Sequence, residues 1–155
     1  MGRDQENSFE SASAIDLVVT LYDGILRFLR DASEAAERGD QASRRMAVKG
    51  ALDIINHLQA RLRLEVGGRP AQVLNEFYAS VFSQILQASQ SASRRKFEHT
   101  INCVRSVRDA WQQAAHDSHV LPASRRAIVL PALGHARLDD AATQAGAAAR
   151  SIWTD

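Results

Sequence analysis

Apolar residues recur at helical spacing through most of the first 115 positions. They are densest in the run Leu17-Val18-Val19-Thr20-Leu21-Tyr22-Asp23-Gly24-Ile25-Leu26-Arg27-Phe28-Leu29. One stripe of that run is Ile15, Val18, Tyr22, Ile25 and Leu29. A second, Leu17, Leu21 and Phe28, lies on another side of the same cylinder. A helix resting on one neighbour shows a single apolar stripe. This one has to be covered from more than one direction, by the rest of the chain or by a partner.

The same periodicity predicts four helices. The first starts at Ser13, an N-cap residue with Asp16 three positions on, and ends near Arg38. Gly39 suits the left-handed position after a helix, and Asp40 can cap the next one. The second runs from Gln41 to about Leu64, with Val48, Ala51, Leu52, Ile55, Leu58 and Leu62 on one face. Gly67-Gly68-Arg69-Pro70 is the strongest breaker in the chain. The third helix is expected from Ala71 to Gln90, with Val73 or Leu74, then Phe77, Tyr78, Val81, Ile85 and Leu86 in its stripe and Phe82 broadening it. The small polar stretch Ser89 to Ser93 reads as a turn. The fourth helix, Arg94 to Ala115, lines up Phe97, Ile101, Val104, Val107 or Arg108, and Trp111.

No sustained apolar–polar alternation competes with this reading. Long amphipathic helices with short links favour antiparallel neighbours. The chain is therefore expected to be all-α, an antiparallel up-down four-helix bundle over residues 13–115. Residues 1–12 read as a flexible arm with Phe9 as its apolar anchor. Residues 116–155 read as a partly helical tail. Within it, Ala136 to Trp153 is an alanine-rich stretch with Leu138, Ala142, Ala145, Ala149 and Ile152 on one side. Alanine favours helix but buries little area. That segment is expected either to pack over an apolar surface of the bundle or to move freely.

Composition narrows the function. At 155 residues and 45% hydrophobic content, one domain with a real core is expected. The net charge is +1 with acids and bases intermixed, which argues against a nucleic-acid binder working through bulk charge. The short runs Arg44-Arg45 and Arg94-Arg95-Lys96 read as solvated faces. Cys103 is the single cysteine, so no intrachain disulfide forms, which fits the cytoplasm. The polar, acidic-leaning start lacks the pattern of a secretory signal, and no apolar run approaches the ~20 residues that span a bilayer.

Candidate chemistry is sparse. His116 and His119 have a spacing that suits one helical face, but they fall where the fourth helix should end, beside Asp117 and Ser118. A solvated helix end explains them more simply than a metal. No Glu-x-x-His pair of the di-metal bundles occurs. Gly67-Gly68 lacks the Gly-Lys-Ser/Thr ending of a phosphate loop. Cys103 reads as a small buried hydrophobe, and Tyr78 and Trp111 as core aromatics. No catalytic residue, metal site or cofactor is expected, and the chain does not read as an enzyme. What remains is apolar surface at helical spacing, either plain core or a groove for a partner's amphipathic helix. Periodicity alone does not separate the two.

Several stretches, in order, resemble the flagellar secretion chaperone family, FliS. They are Ser11-Ala12-Ser13-Ala14, Leu17-Val18, Leu21-Tyr22-Asp23-Gly24-Ile25 and Phe28-Leu29; then Ala51 to Leu58, Leu64 to Gly68, Leu74 to Tyr78, and Arg108 to Ala114. The resemblance covers about residues 9 to 115. It implies a cytosolic bundle that binds the C-terminal segment of flagellin, prevents premature polymerisation and assists flagellar type III export. The export apparatus is a further partner it implies. The client-contacting residues expected under it are Leu21, Tyr22, Ile25, Ile55, Leu58, Leu62, Phe77 and Val81, with Phe9 of the arm as a displaceable cover. The alternative is a regulatory helical module with a different cytoplasmic client. Three departures stand out. Ala14 replaces the family's Pro, Asp4 stands in the region where the arm carries a Tyr, and the tail from His116 matches no part of the family.

Overall fold

In a computed structural model, the described residues are 2–119 for the backbone and 14–117 for the side chains. They form four helices: α1 (Gly2–Arg38), α2 (Gln41–Ala60), α3 (Leu64–Gln90) and α4 (Arg94–His119). Among the described residues there is no strand. α1 packs on α2 and α4, and α3 packs on α2 and α4, so α1 and α3 are diagonal to each other. Two contact pairs fix α1 and α2 as antiparallel: Gly24 lies against Ile54, and Gly50 against Phe28. Arg94 with Glu37, and Arg108 with Asp23, do the same for α4 and α1. The expected up-down bundle is therefore present.

The α1–α2 link follows its local chemistry. Gly39 sits at φ 71°, in the left-handed region that glycine reaches without penalty. Its N–H reaches the Ala36 carbonyl at 3.2 Å, and the Asp40 N–H reaches Ala35 at 2.9 Å, closing the end of α1. The Asp40 carboxylate then accepts from the Ser43 backbone N–H at 3.0 Å and the Ser43 hydroxyl at 2.7 Å, capping α2. Those bonds hold the Asp40 carboxyl below its ordinary range.

Four boundaries differ from the sequence expectation. α1 begins at Gly2, not Ser13, so the backbone of residues 2–12 continues the helix. No proline or further glycine interrupts that stretch, and one capping residue does not compel a start. α2 ends at Ala60, not Leu64. The Arg61 N–H closes on Leu58 and Gln59, and the chain turns so that Leu62 is buried. α3 is entered at Leu64, ahead of Ala71, but it kinks at the expected Gly-Gly breaker: Gly68 is non-helical, at φ 58° and ψ −144°, and separates a short first turn from the longer helix. Pro70 follows, where its fixed φ suits a restarting helix. α4 runs on to His119, past Ala115. The side chain of Phe9, and with it the arm cover, lies outside the described residues. So does the tail from residue 120 on.

The core contains the first stripe of α1 in full: Ile15, Val18, Tyr22, Ile25 and Leu29 are all buried. It also contains Phe97, Val104, Val107 and Trp111 of α4. At its centre the hydroxyls of Tyr22 and Tyr78 meet across the diagonal at 2.6 Å, with the rings edge to face. The Trp111 indole, also buried, acts on the Tyr22 phenol against the stronger effect of burial. Burial pushes both phenols well above the ordinary tyrosine range. The two tyrosines thus satisfy each other's polar tips in a dry centre.

Candidate functional site

The segment Leu21-Tyr22-Asp23-Gly24 organises this surface. Its four consecutive side-chain positions, roughly 100° apart around the helix, address four different neighbours. Tyr22 enters the core. Asp23 takes a two-pronged ion pair from Arg108 of α4, Nε to Oδ1 at 2.8 Å and Nη2 to Oδ2 at 3.3 Å. Gly24 faces α2 so closely that a Cβ there would sit 3.0 Å from the Ile54 terminal methyl. Leu21 is left half-buried on the outer side.

Leu21 is not alone there. Leu17, one turn earlier, is 51% exposed, and Phe28, two turns later, is half-buried. This is the second stripe of α1. Ile54 of α2 borders it, also half-buried. The Phe28 ring lies directly on the backbone of α2 at Gly50, where an added Cβ would come within 2.7 Å of two ring carbons. Met46, one turn before Gly50, is 75% exposed. The result is a shallow apolar strip along the outer α1–α2 seam, with glycine on each helix lowering its floor. Gly50 was not singled out from the sequence. The available signal was an isolated glycine inside a strongly helical pattern, which costs about 1 kcal/mol of propensity unless close packing uses it.

A smaller seam lies between α2 and α3. Gln59 Nε2 donates to Asn75 Oδ1 at 2.8 Å. Two turns along each antiparallel helix from that bond stand Leu52 and Phe82, both half-buried, with Leu86 next to them in sequence order. Leu64 and Val66, at the start of α3, are also exposed, whereas the face between α1 and α4 is charged. The open cleft of about 470 Å³ between α1 and α4 is lined by Arg30, Glu34, Glu37, Arg94, Glu98 and Arg105, among others. Arg94 spans it, bonding Glu37 at 2.6 Å and Glu98 at 2.8 Å. Such a charged cleft does not suit an apolar helix face.

Of the eight residues expected to touch a client, Leu21 alone stands at the strip. Tyr22, Ile25, Ile55, Leu58, Leu62, Phe77 and Val81 are buried in the core. They belong to the central stripes of their helices, so the bundle itself uses them. Among the described residues no three histidine, cysteine, aspartate or glutamate side chains gather to hold a metal ion. Cys103 is buried, its thiol pushed up by burial, with His99 Nε2 3.8 Å from Sγ. Among the described residues no helix is long and apolar enough to cross a membrane.

The chain matches the family described as "Flagellar protein FliS" over residues 1–118. The flagellar secretion chaperone FliS of Vibrio cholerae is 28% identical over 123 residues, covering 79% of this chain and 90% of that protein. Its counterpart in Salmonella typhimurium is 32% identical over 109 residues, 70% of this chain and 81% of the relative. That of Bacillus subtilis is 27% identical over 110 residues, covering 71% and 81%. The matched span takes in all but the last residue of the four-helix body, and the chain belongs to the FliS family of flagellar proteins.

Proposed function

We propose that this protein is an export chaperone for flagellin. It covers the C-terminal helical segment of an unassembled subunit in the cytosol, prevents its polymerisation and presents it for flagellar secretion. The observation that carries the reading is the apolar strip of Leu17, Leu21, Phe28 and Ile54 along the α1–α2 seam, where Phe28 and Ile54 pack over glycines. The relatives' shared name, flagellar secretion chaperone, supports the direction. A client helix laid along the α1–α2 seam would bury one apolar face against it, in the manner of helix-in-groove recognition. The strip is shallow, and a segment that folds on binding gives up conformational entropy. Both effects moderate affinity, as release at the export gate requires. No bond is made or broken, so the role needs no catalytic residue.

The test is co-purification with flagellin from the same organism, full length and without its C-terminal segment. The full-length protein is expected to be retained and the shortened one lost. Retention of both would contradict the mechanism. Loss of both, with another cytoplasmic protein specifically retained through the strip, would favour a regulatory module instead.

A further inference from the structure

We propose that the cleft between α1 and α4 is a binding site for a small amino dicarboxylate, of the class of glutamate and aspartate. It lies on the other flank of α1 from the apolar strip and does not depend on the flagellin reading.

Two ion pairs frame the cleft. Arg94 with Glu37, and Arg108 with Asp23, hold α4 against α1 in one constant register. The two clasps stand about four turns apart, or ~21 Å along the helices. Between them that register sets Arg30 of α1 beside Ile101 of α4. Arg105 follows one turn further along α4, about 5.4 Å toward the Arg108 clasp. Arg30, Ser33, Ile101, Asn102 and Arg105 thus share one cleft of about 470 Å³. That volume is in the range of small-molecule sites.

Charge selects the ligand. Arg94 answers two acids at once, bonding Glu37 and Glu98. Glu34 has only a long contact with Arg38, at 3.9 Å. Arg30 and Arg105 have neither an ion pair nor a hydrogen bond with any described residue, and the Asn102 carboxamide is equally unengaged. Two guanidinium forks and one accessible carboxylate are left over. A guanidinium takes a carboxylate in a two-pronged, charge-assisted geometry. Two carboxylates a few bonds apart, spanning about one helical turn, answer the two arginines. An ammonium on the same molecule answers Glu34. A ligand with negative charge alone would meet the Glu34 carboxylate uncompensated.

The Ser33 hydroxyl is an independent sign. Thr20, Ser91 and Thr100 each turn the hydroxyl back to the carbonyl four residues earlier, at 2.9, 2.8 and 3.1 Å. Ser33 does not. It stands in the cleft wall, only 7% exposed, and its hydroxyl has no hydrogen-bond partner among the described residues. A hydroxyl so far buried is rarely left without one. Ser33 is three residues from Arg30, on the same flank of α1, so a carboxylate held by that guanidinium would supply the missing acceptor.

The experiment titrates the full chain with L-glutamate, and separately with succinate and inorganic phosphate, while NMR follows backbone amide and methyl signals. L-Glutamate is expected to shift Ser33, Ile101 and Asn102 saturably and to leave Leu17 and Leu21 in place. A dissociation constant on the order of 1 mM is expected for a cleft open to water. Succinate, which lacks the ammonium, is expected to bind about tenfold more weakly, and Glu34→Gln to abolish that preference. Arg30→Gln and Arg105→Gln are each expected to weaken L-glutamate about tenfold or more. Both side chains are exposed, so the melting temperature should hold. Arg95→Gln, outside the cleft, should bind as the parent does. No saturable shift at the cleft, or equal binding by the parent and the two arginine variants, would overturn the site. Succinate or phosphate binding as tightly as L-glutamate would overturn the ligand class.

Discussion

The outer faces of α1 and α4 are neighbours in one bundle with opposite chemistry. Every exposed described residue of α4 is polar or charged, among them Glu98, Asn102, Arg105, Asp109 and Gln112. Its apolar residues are all spent on the core. α1 buries an equally complete stripe and then presents Leu17, Leu21 and Phe28 besides. Fold stability alone accounts for α4. It does not account for the second stripe of α1, because a bundle of this size closes its core with the first. The excess is therefore where a partner is to be sought. It is also where the backbone has been thinned, with Gly24 and Gly50 facing each other's helices.

The sharpest way to break this contrast is to put a charge on each face. Leu17→Asp is expected to weaken binding of the flagellin C-terminal segment by 10- to 100-fold, the loss of about 1.5–3 kcal/mol from one leucine left wet. Its melting temperature should hardly move, since Leu17 is half in water already. Asn102→Asp on α4 should change neither. Calorimetric titration of the two variants decides between a functional strip and incidental exposure.

Glycine substitutions come next. Gly50→Ala should destabilise the bundle by about 1–2 kcal/mol, because a Cβ would collide with the Phe28 ring and the gain in helix propensity offsets only about 1 kcal/mol. Gly24→Ala meets only the movable end of Ile54 and should be near neutral. Gly24→Leu, which cannot be accommodated by one rotamer change, should lower the melting temperature. Equal effects of alanine at both sites would remove the argument from close packing.

Tyr78→Phe should cost about 1–2 kcal/mol, by leaving the buried Tyr22 hydroxyl short of a partner. It also has a pH signature. Both phenols are held protonated beyond their ordinary value of 10.0, so the unfolded chain ionises first. Stability should be intact below that value and fall as pH rises above it. The variant has one such group fewer, so its melting temperature should fall less steeply between pH 10 and 11. A smaller effect is expected for Asp23→Ala. The Arg108 pair is half in solvent on the aspartate side, so about 0.5–1 kcal/mol is at stake in chemical denaturation.

Local chemistry was legible in the sequence and lateral position was not. Gly39-Asp40 fixed its link unaided, because a left-handed glycine and a capping carboxylate act within four residues. The four helices were legible from period alone, and so were Tyr78 and Trp111 as core aromatics. Helix ends without a glycine or proline were misplaced: the turn after Ala60 is set by burial of Leu62, a tertiary event. Which of the expected client-contacting residues reach the surface was not legible for a related reason. Tyr22 and Leu21 are adjacent and equally apolar in pattern, and only the positions of α2 and α4 decide that one is core and the other rim. Gly50 went unnoticed because its reason for being there is a ring on another helix.

The motif Leu21-Tyr22-Asp23-Gly24 has one more consequence. Its four bearings answer to surface, core, α4 and α2, so it fixes the rotational phase of α1. Inserting a single residue just before Tyr22 would turn everything after it by about 100°, pointing the tyrosine along the exposed bearing of Asp23 and the aspartate into the seam with α2. Length changes in this family should therefore collect in the links between helices and beyond α4, and avoid this turn of the first rod altogether.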